Sequence, residues 1–142
     1  MTVPTDTKAR RDRSASAGEA LRRVVLVDSL TSGGVGLLLL AAAAPLSDFW
    51  GLSATFLRIA GITMVLWGVG LGQLIRQGTV PEGALRVVVI ANWAWFGASV
   101  LLLLSDWVEP TGFGFAFVAG QAAIVAAFAI LQDRFLKLRR VG

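Results

Sequence analysis

Of the polar residues inside otherwise apolar stretches of this sequence, Asp28, Gln73, Asn92 and Gln132, and, apart from them, Arg58, could do chemistry. Asp28 follows Val24, Val25, Leu26 and Val27 and precedes an uncharged run from Leu30 to Ala44. A carboxylate in that setting can exchange a proton or hold a cation. Held by amides, and neutralised by protonation or by a nearby arginine, the same group serves as hydrogen-bonding glue between helices. Arg22, Arg23, Arg76 and Arg86 are potential snorkelling counter-ions. Both readings of Asp28 stay open. Arg58 offers an anion or lipid-phosphate contact, or a snorkelling cation that pairs with Asp48, Asp106 or Glu109 or bonds Gln121.

The residue types that are missing narrow the chemistry. The 142 residues include no Cys, no His and no Tyr. Disulfides, thiolate nucleophiles and iron–sulfur ligation need Cys. Bis-histidine haem, histidine metal sites and Ser-His-Asp catalysis need His. Ser, Asp and Arg occur without a catalytic motif around them. The expectation is therefore no catalytic residue, no metal, no cofactor and no enzymatic activity.

The elements that carry these groups read as membrane helices. The chain is 56% hydrophobic and 15% charged, against roughly 25% charged in ordinary soluble domains. Its apolar residues form long blocks rather than amphipathic stripes. Four blocks, about 24–44, 56–75, 85–104 and 112–132, are each long enough to cross roughly 30 Å of hydrocarbon as a helix. Residues 21–140 thus form one expected transmembrane domain, and the polar, charged stretch 1–20 reads as a disordered cytoplasmic tail. A cleaved signal is disfavoured by the length of the first block, by Asp28 within it, and by the proline after "AAAA".

Charge gives the direction. Lys8, Arg10, Arg11, Arg13, Arg22 and Arg23 precede or open the first span. Arg76 and Arg86 flank the link between the second and third. Arg134, Lys137, Arg139 and Arg140 follow the fourth. The other two links, 45–55 and 105–111, hold no Lys or Arg. The positive-inside rule then puts both termini on the cytoplasmic side of a cytoplasmic membrane. The net charge of +4 comes from residues that flank apolar spans, so the expected partner is the bilayer and not nucleic acid. Trp50 and Trp107, each close to an aspartate in an outer link, read as interfacial anchors.

The sequence also repeats. "ALRRVVLVDSLTSGGVGLLLL" (20–40) and "ALRVVVIANWAWFGASVLLLL" (84–104) share ten identities in 21 ungapped positions. "AGITMVLWGVGLGQ" (60–73) lies more loosely over "AGQAAIVAAFAILQ" (119–132). The implied fold is an all-α, four-transmembrane-helix bundle of two helical hairpins in parallel relation. The first alignment puts Asp28 over Asn92, and the second puts Gln73 over Gln132. All four belong to the inner half by depth, where they are expected to cluster. In the second alignment Phe117 stands at the place of Arg58.

Small residues recur at helical spacing in Ser29/Gly33, Ser32/Gly36, Gly68/Gly72, Ala116/Gly120 and Ala123/Ala127, which suits close helix packing. The stretches "SLTSGGVGLLLL", "GLSATFLRIAG", "NWAWFGASVLLLL" and "QAAIVAAFAILQ" followed by "LKLRR" resemble a loose family of small four-span bacterial integral membrane proteins, across about 21–140. That resemblance implies a bacterial inner-membrane setting and supplies no catalytic residues. The expected role is a non-enzymatic bundle that associates with itself or with other membrane proteins. The alternative is a small ion-coupled transporter that uses Asp28 as its coupling carboxylate.

Overall fold

The computed structural model describes residues 4–78 and 80–141. The chain forms five helices: α1 Pro4–Ala41, α2 Ala43–Trp50, α3 Ala54–Arg76, α4 Glu82–Leu104 and α5 Gly112–Val141. No strand occurs among the described residues. α1, α3, α4 and α5 are long and apolar enough to cross a membrane.

Local chemistry sets the boundaries. Gly51 ends α2 in a left-handed conformation, φ 67°, which glycine adopts without a Cβ penalty. Ser53 caps α3: its Oγ accepts from Phe56 N at 3.1 Å. Gly78, φ 83°, turns the chain after α3, and Pro81 directly precedes α4.

Two expectations change here. Residues 4–20, read above as part of a disordered tail, continue α1 as helix. Nothing between Thr5 and Ala20 breaks a helix strongly, and Ala, Arg, Lys and Glu favour one. Ala17 and Leu21 are buried, Arg23 pairs with Glu19 one turn away, and Ser14 Oγ donates to the Arg139 carbonyl of α5 at 3.2 Å. At 38 residues, α1 is about 57 Å long, well beyond the roughly 30 Å of a hydrocarbon core. Its first turns run beside the end of α5. The second change is α2, a short helix where the sequence suggests a link. It buries Trp50, whose ring stacks on Phe117 with centroids 4.0 Å apart. Trp50 is thus a packing residue, whereas Trp107 is 84% exposed.

α1 is central. It packs along α3 on one side and along α5 on another, and α5 also packs along α4. No Cα of α3 comes within 8 Å of a Cα of α4 among the described residues. α1 and α3 meet at backbone distance. A Cβ on Gly36 would sit 2.7 Å from Gly61 O, and one on Gly68 would sit 2.7 Å from Ser29 O. Only glycine lets the backbones meet there, and Ser29 Oγ uses the approach to donate to Gly68 O at 2.7 Å.

The interior is layered. One apolar cluster, including Leu21, Leu71, Leu85 and Leu136, lies toward the chain termini. Another, including Leu39, Leu57, Met64 and Val118, lies toward α2. A polar layer separates them. The outside is apolar too: Leu30, Leu66, Ile90 and Leu101 are each about two-thirds exposed, the reverse of a water-soluble bundle.

Candidate functional site: a buried carboxylate beside an open cleft

The polar layer is built on Asp28, which has no exposed surface at all. α1 turns this residue toward α4 and α5, and three donors converge on it. Ser32 Oγ, one turn further along α1, donates to Oδ1 at 3.1 Å. Asn92 Nδ2 of α4 and Gln132 Nε2 of α5 each donate to Oδ2 at 2.8 Å. Asn92 Nδ2 also donates to Gln132 Oε1 at 2.9 Å. Asn92 and Gln132 are 3% and 1% exposed.

This geometry ties three helices together at one carboxyl group. A buried carboxylate without partners is strongly unfavourable. Here three neighbours each turn an O–H or N–H toward it, so both carboxyl oxygens accept hydrogen bonds. None of the arginines considered as counter-ions reaches Asp28. Among the described residues, Arg23 pairs with Glu19, while Arg86 and Arg140 both pair with Glu82. The polar partners of Asp28 are thus the neutral side chains of Ser32, Asn92 and Gln132.

The structure brings Asp28, Asn92 and Gln132 together and leaves Gln73 out. Gln73 is exposed on α3, on the far side of the gap between α3 and α4. The reason is the asymmetry of the packing, since α5 touches both α1 and α4 while α3 touches only α1 of these two. Arg58 is also exposed and bonds none of Asp48, Asp106, Glu109 or Gln121 among the described residues. Gln121 is engaged elsewhere: its Oε1 accepts from Trp95 Nε1 at 3.0 Å and its Nε2 donates to Ser99 Oγ at 2.9 Å. Sequence reasoning missed this second bridge between α4 and α5. Its signal was a lone glutamine amid apolar residues of α5, facing a Trp and a Ser four positions apart on α4.

Because α3 and α4 stand apart, a cleft opens between them. Its inner part is a cavity of about 460 Å³ lined by Trp67 of α3, Trp95 of α4, and Ser32 and Asn92. A neighbouring cavity of about 380 Å³ continues toward Leu52 and Trp107, and Thr63, Met64 and Trp95 line both. The carboxylate therefore lies one hydrogen bond behind the polar part of the cleft wall. The described residues contain no group of three or more acidic, His or Cys side chains fit to hold a metal ion.

Comparison with protein-family models, with curated proteins and with solved structures finds no match to this chain.

Proposed function

We propose that this chain is a multi-pass protein of a bacterial cytoplasmic membrane, of the loose four-span kind its sequence resembles. In this reading both termini face the cytoplasm, and two hairpins, α1 with α3 and α4 with α5, stand in parallel relation. Its role is non-enzymatic, and it associates with a second copy or with another membrane protein. The apolar outside and the four long apolar helices support the bilayer setting. The basic residues at the ends of α1, α3 and α5 support the orientation.

The observation that carries association is on α5. Ala116, Gly120, Ala123 and Ala127 fall on one helix face, and all four are exposed. The small residues at Gly36, Gly61 and Gly68 are consumed by internal packing. The α5 stripe is not, and a Cβ on Gly120 would meet nothing within 4 Å. Small-xxx-small faces let helices approach closely in lipid. Because the chain has no Cys, Ala123→Cys introduces a single thiol. Oxidation in native membranes should then give a disulfide-linked dimer, or an adduct to a partner with its own thiol. A chain that stays monomeric under this treatment and brings no membrane protein through mild purification would end this reading.

The second reading, an ion-coupled transporter, is favoured by one observation: the fully buried Asp28 lies directly behind two residues that line the cleft. In this reading Asp28→Asn removes the coupling carboxylate. Proton-coupled flux in proteoliposomes that survives that change would eliminate it.

A further inference from the structure

The cleft between α3 and α4 has a chemical polarity of its own. Asn92 gives its Nδ2 to Asp28 and Gln132, and no donor among the described residues reaches its Oδ1. Yet no buried side-chain nitrogen or oxygen lacks a partner. Oδ1 is therefore the part of Asn92 that keeps accessible surface, and Asn92 lines the 460 Å³ cavity. Ser32 behaves alike. Its hydroxyl hydrogen points to Asp28 Oδ1, so only oxygen lone pairs are left for the cavity it lines. The buried carboxylate has turned the donors of both residues inward, and the polar floor of the cleft consists of acceptors.

The remaining wall selects what can use those acceptors. It is apolar and aromatic, with Trp67, Trp95, Met64 and Leu66. Trp95 is held by its Nε1–H bond to Gln121, which fixes its ring. A ligand suited to this site needs an apolar body, N–H donors and positive charge. Indole rings attract cations over their faces, and the carboxylate one hydrogen bond behind the floor adds a negative potential that low-polarity surroundings screen weakly. A cavity of this size falls within the range of small-molecule sites.

We propose that the α3–α4 cleft binds a lipophilic ammonium, a protonated amine on an aromatic or aliphatic body, with its N–H groups accepted by Asn92 Oδ1 and Ser32 Oγ. Asp28 balances its charge through those two residues. Asn92, Ser32 and Asp28 would be the polar determinants of binding, and Trp67 and Trp95 the walls. The site requires the bundle as folded and is independent of association through α5.

The test is equilibrium binding of radiolabelled 2-phenylethylamine to the full chain in lipid nanodiscs. Saturable binding is expected, displaced by excess unlabelled amine and not by 2-phenylethyl methyl ether, which has the same body without charge or donors. Asp28→Asn should weaken binding by about tenfold, because it removes the negative potential behind the floor. Thr63→Trp is the second variant. Thr63 is exposed and lines both cavities, so the change fills the cleft while leaving the Asp28 layer intact. It should abolish binding without lowering the melting temperature. The absence of saturable binding, equal displacement by the ether (an apolar or acyl-chain site only), undiminished affinity in Asp28→Asn, or full binding in Thr63→Trp would each overturn the proposal.

Discussion

Asn92 Nδ2 donates to Asp28 Oδ2 across 2.8 Å, and the two residues are 64 positions apart, the offset that aligns the two similar stretches of the sequence. The two positions that this alignment superposes are thus in direct contact in the bundle. They are not chemically equal. One is the acceptor that organises the layer, and the other is a donor to it.

That inequality sets the first prediction. Asp28→Ala leaves the donors of Ser32, Asn92 and Gln132 without their common acceptor. Each unsatisfied buried donor costs about 1–3 kcal/mol, partly recovered where partners regroup. A loss of about 3 kcal/mol is expected in reversible unfolding in mixed detergent micelles. Asn92→Ala should cost less, and the double variant should cost less than the two single losses added, with a coupling of about 1–2 kcal/mol. Strict additivity would mean that the two side chains do not act as one network.

A second prediction concerns glycines that look alike in sequence. Gly68→Ala puts a methyl 2.7 Å from Ser29 O, and Gly36→Ala puts one 2.7 Å from Gly61 O. In both cases the obstacle is backbone, so α1 and α3 must separate, at a cost of about 1–3 kcal/mol. At Gly34 and Gly70 a Cβ meets nothing within 4 Å. There Ala should stabilise by about 0.5–1 kcal/mol through helix propensity alone. The same unfolding assay separates the two pairs by sign.

How much of this was legible beforehand can be seen at particular residues. The four long helices follow from block length and hydropathy, and Asp28 with Asn92 follows from the repeat. Gln132 was found and Gln73 misplaced, because the alignment treats α3 and α5 as equivalent while the packing does not. The difference can be traced to side chains. Where α1 has Ser29, Ser32 and Gly36, α4 has Trp93, Phe96 and Val100, and bulk at those positions opposes the close approach that α1 makes to α3. The extension of α1 through the tail was hidden for another reason. Its polar residues read as disorder although they favour a helix, and the contact with α5 that accompanies that helix is tertiary and in no local pattern.

A third prediction tests orientation. In a chain without cysteine, Asp106→Cys should react with a membrane-impermeant maleimide on intact cells. Ser16→Cys should react only after permeabilisation. Both positions are exposed in the fold, so reactivity reports the side of the membrane. The opposite pattern would reverse the topology drawn from the basic residues.

The fourth prediction separates the two polar bridges that join α4 to α5. Trp95 Nε1–H donates to Gln121 Oε1 at 3.0 Å, and Gln121 Nε2–H donates to Ser99 Oγ at 2.9 Å. These groups are half-buried or buried and lie toward the α2 end, away from Asp28. Gln121→Leu leaves the indole N–H without its acceptor and should cost about 1–2 kcal/mol. Trp95→Phe removes the donor, loses ring area and loosens the cleft wall. In the double variant both polar partners of that bond are gone and the sites match as apolar surface, so the combined loss should fall below the sum of the single losses. The Asp28 layer gives the contrast. Pairing Gln121→Leu with Asp28→Ala should give additive losses, because the two networks share no residue. Coupling between them above about 0.5 kcal/mol would show that α4 and α5 respond as one rigid pair rather than through two separate bridges.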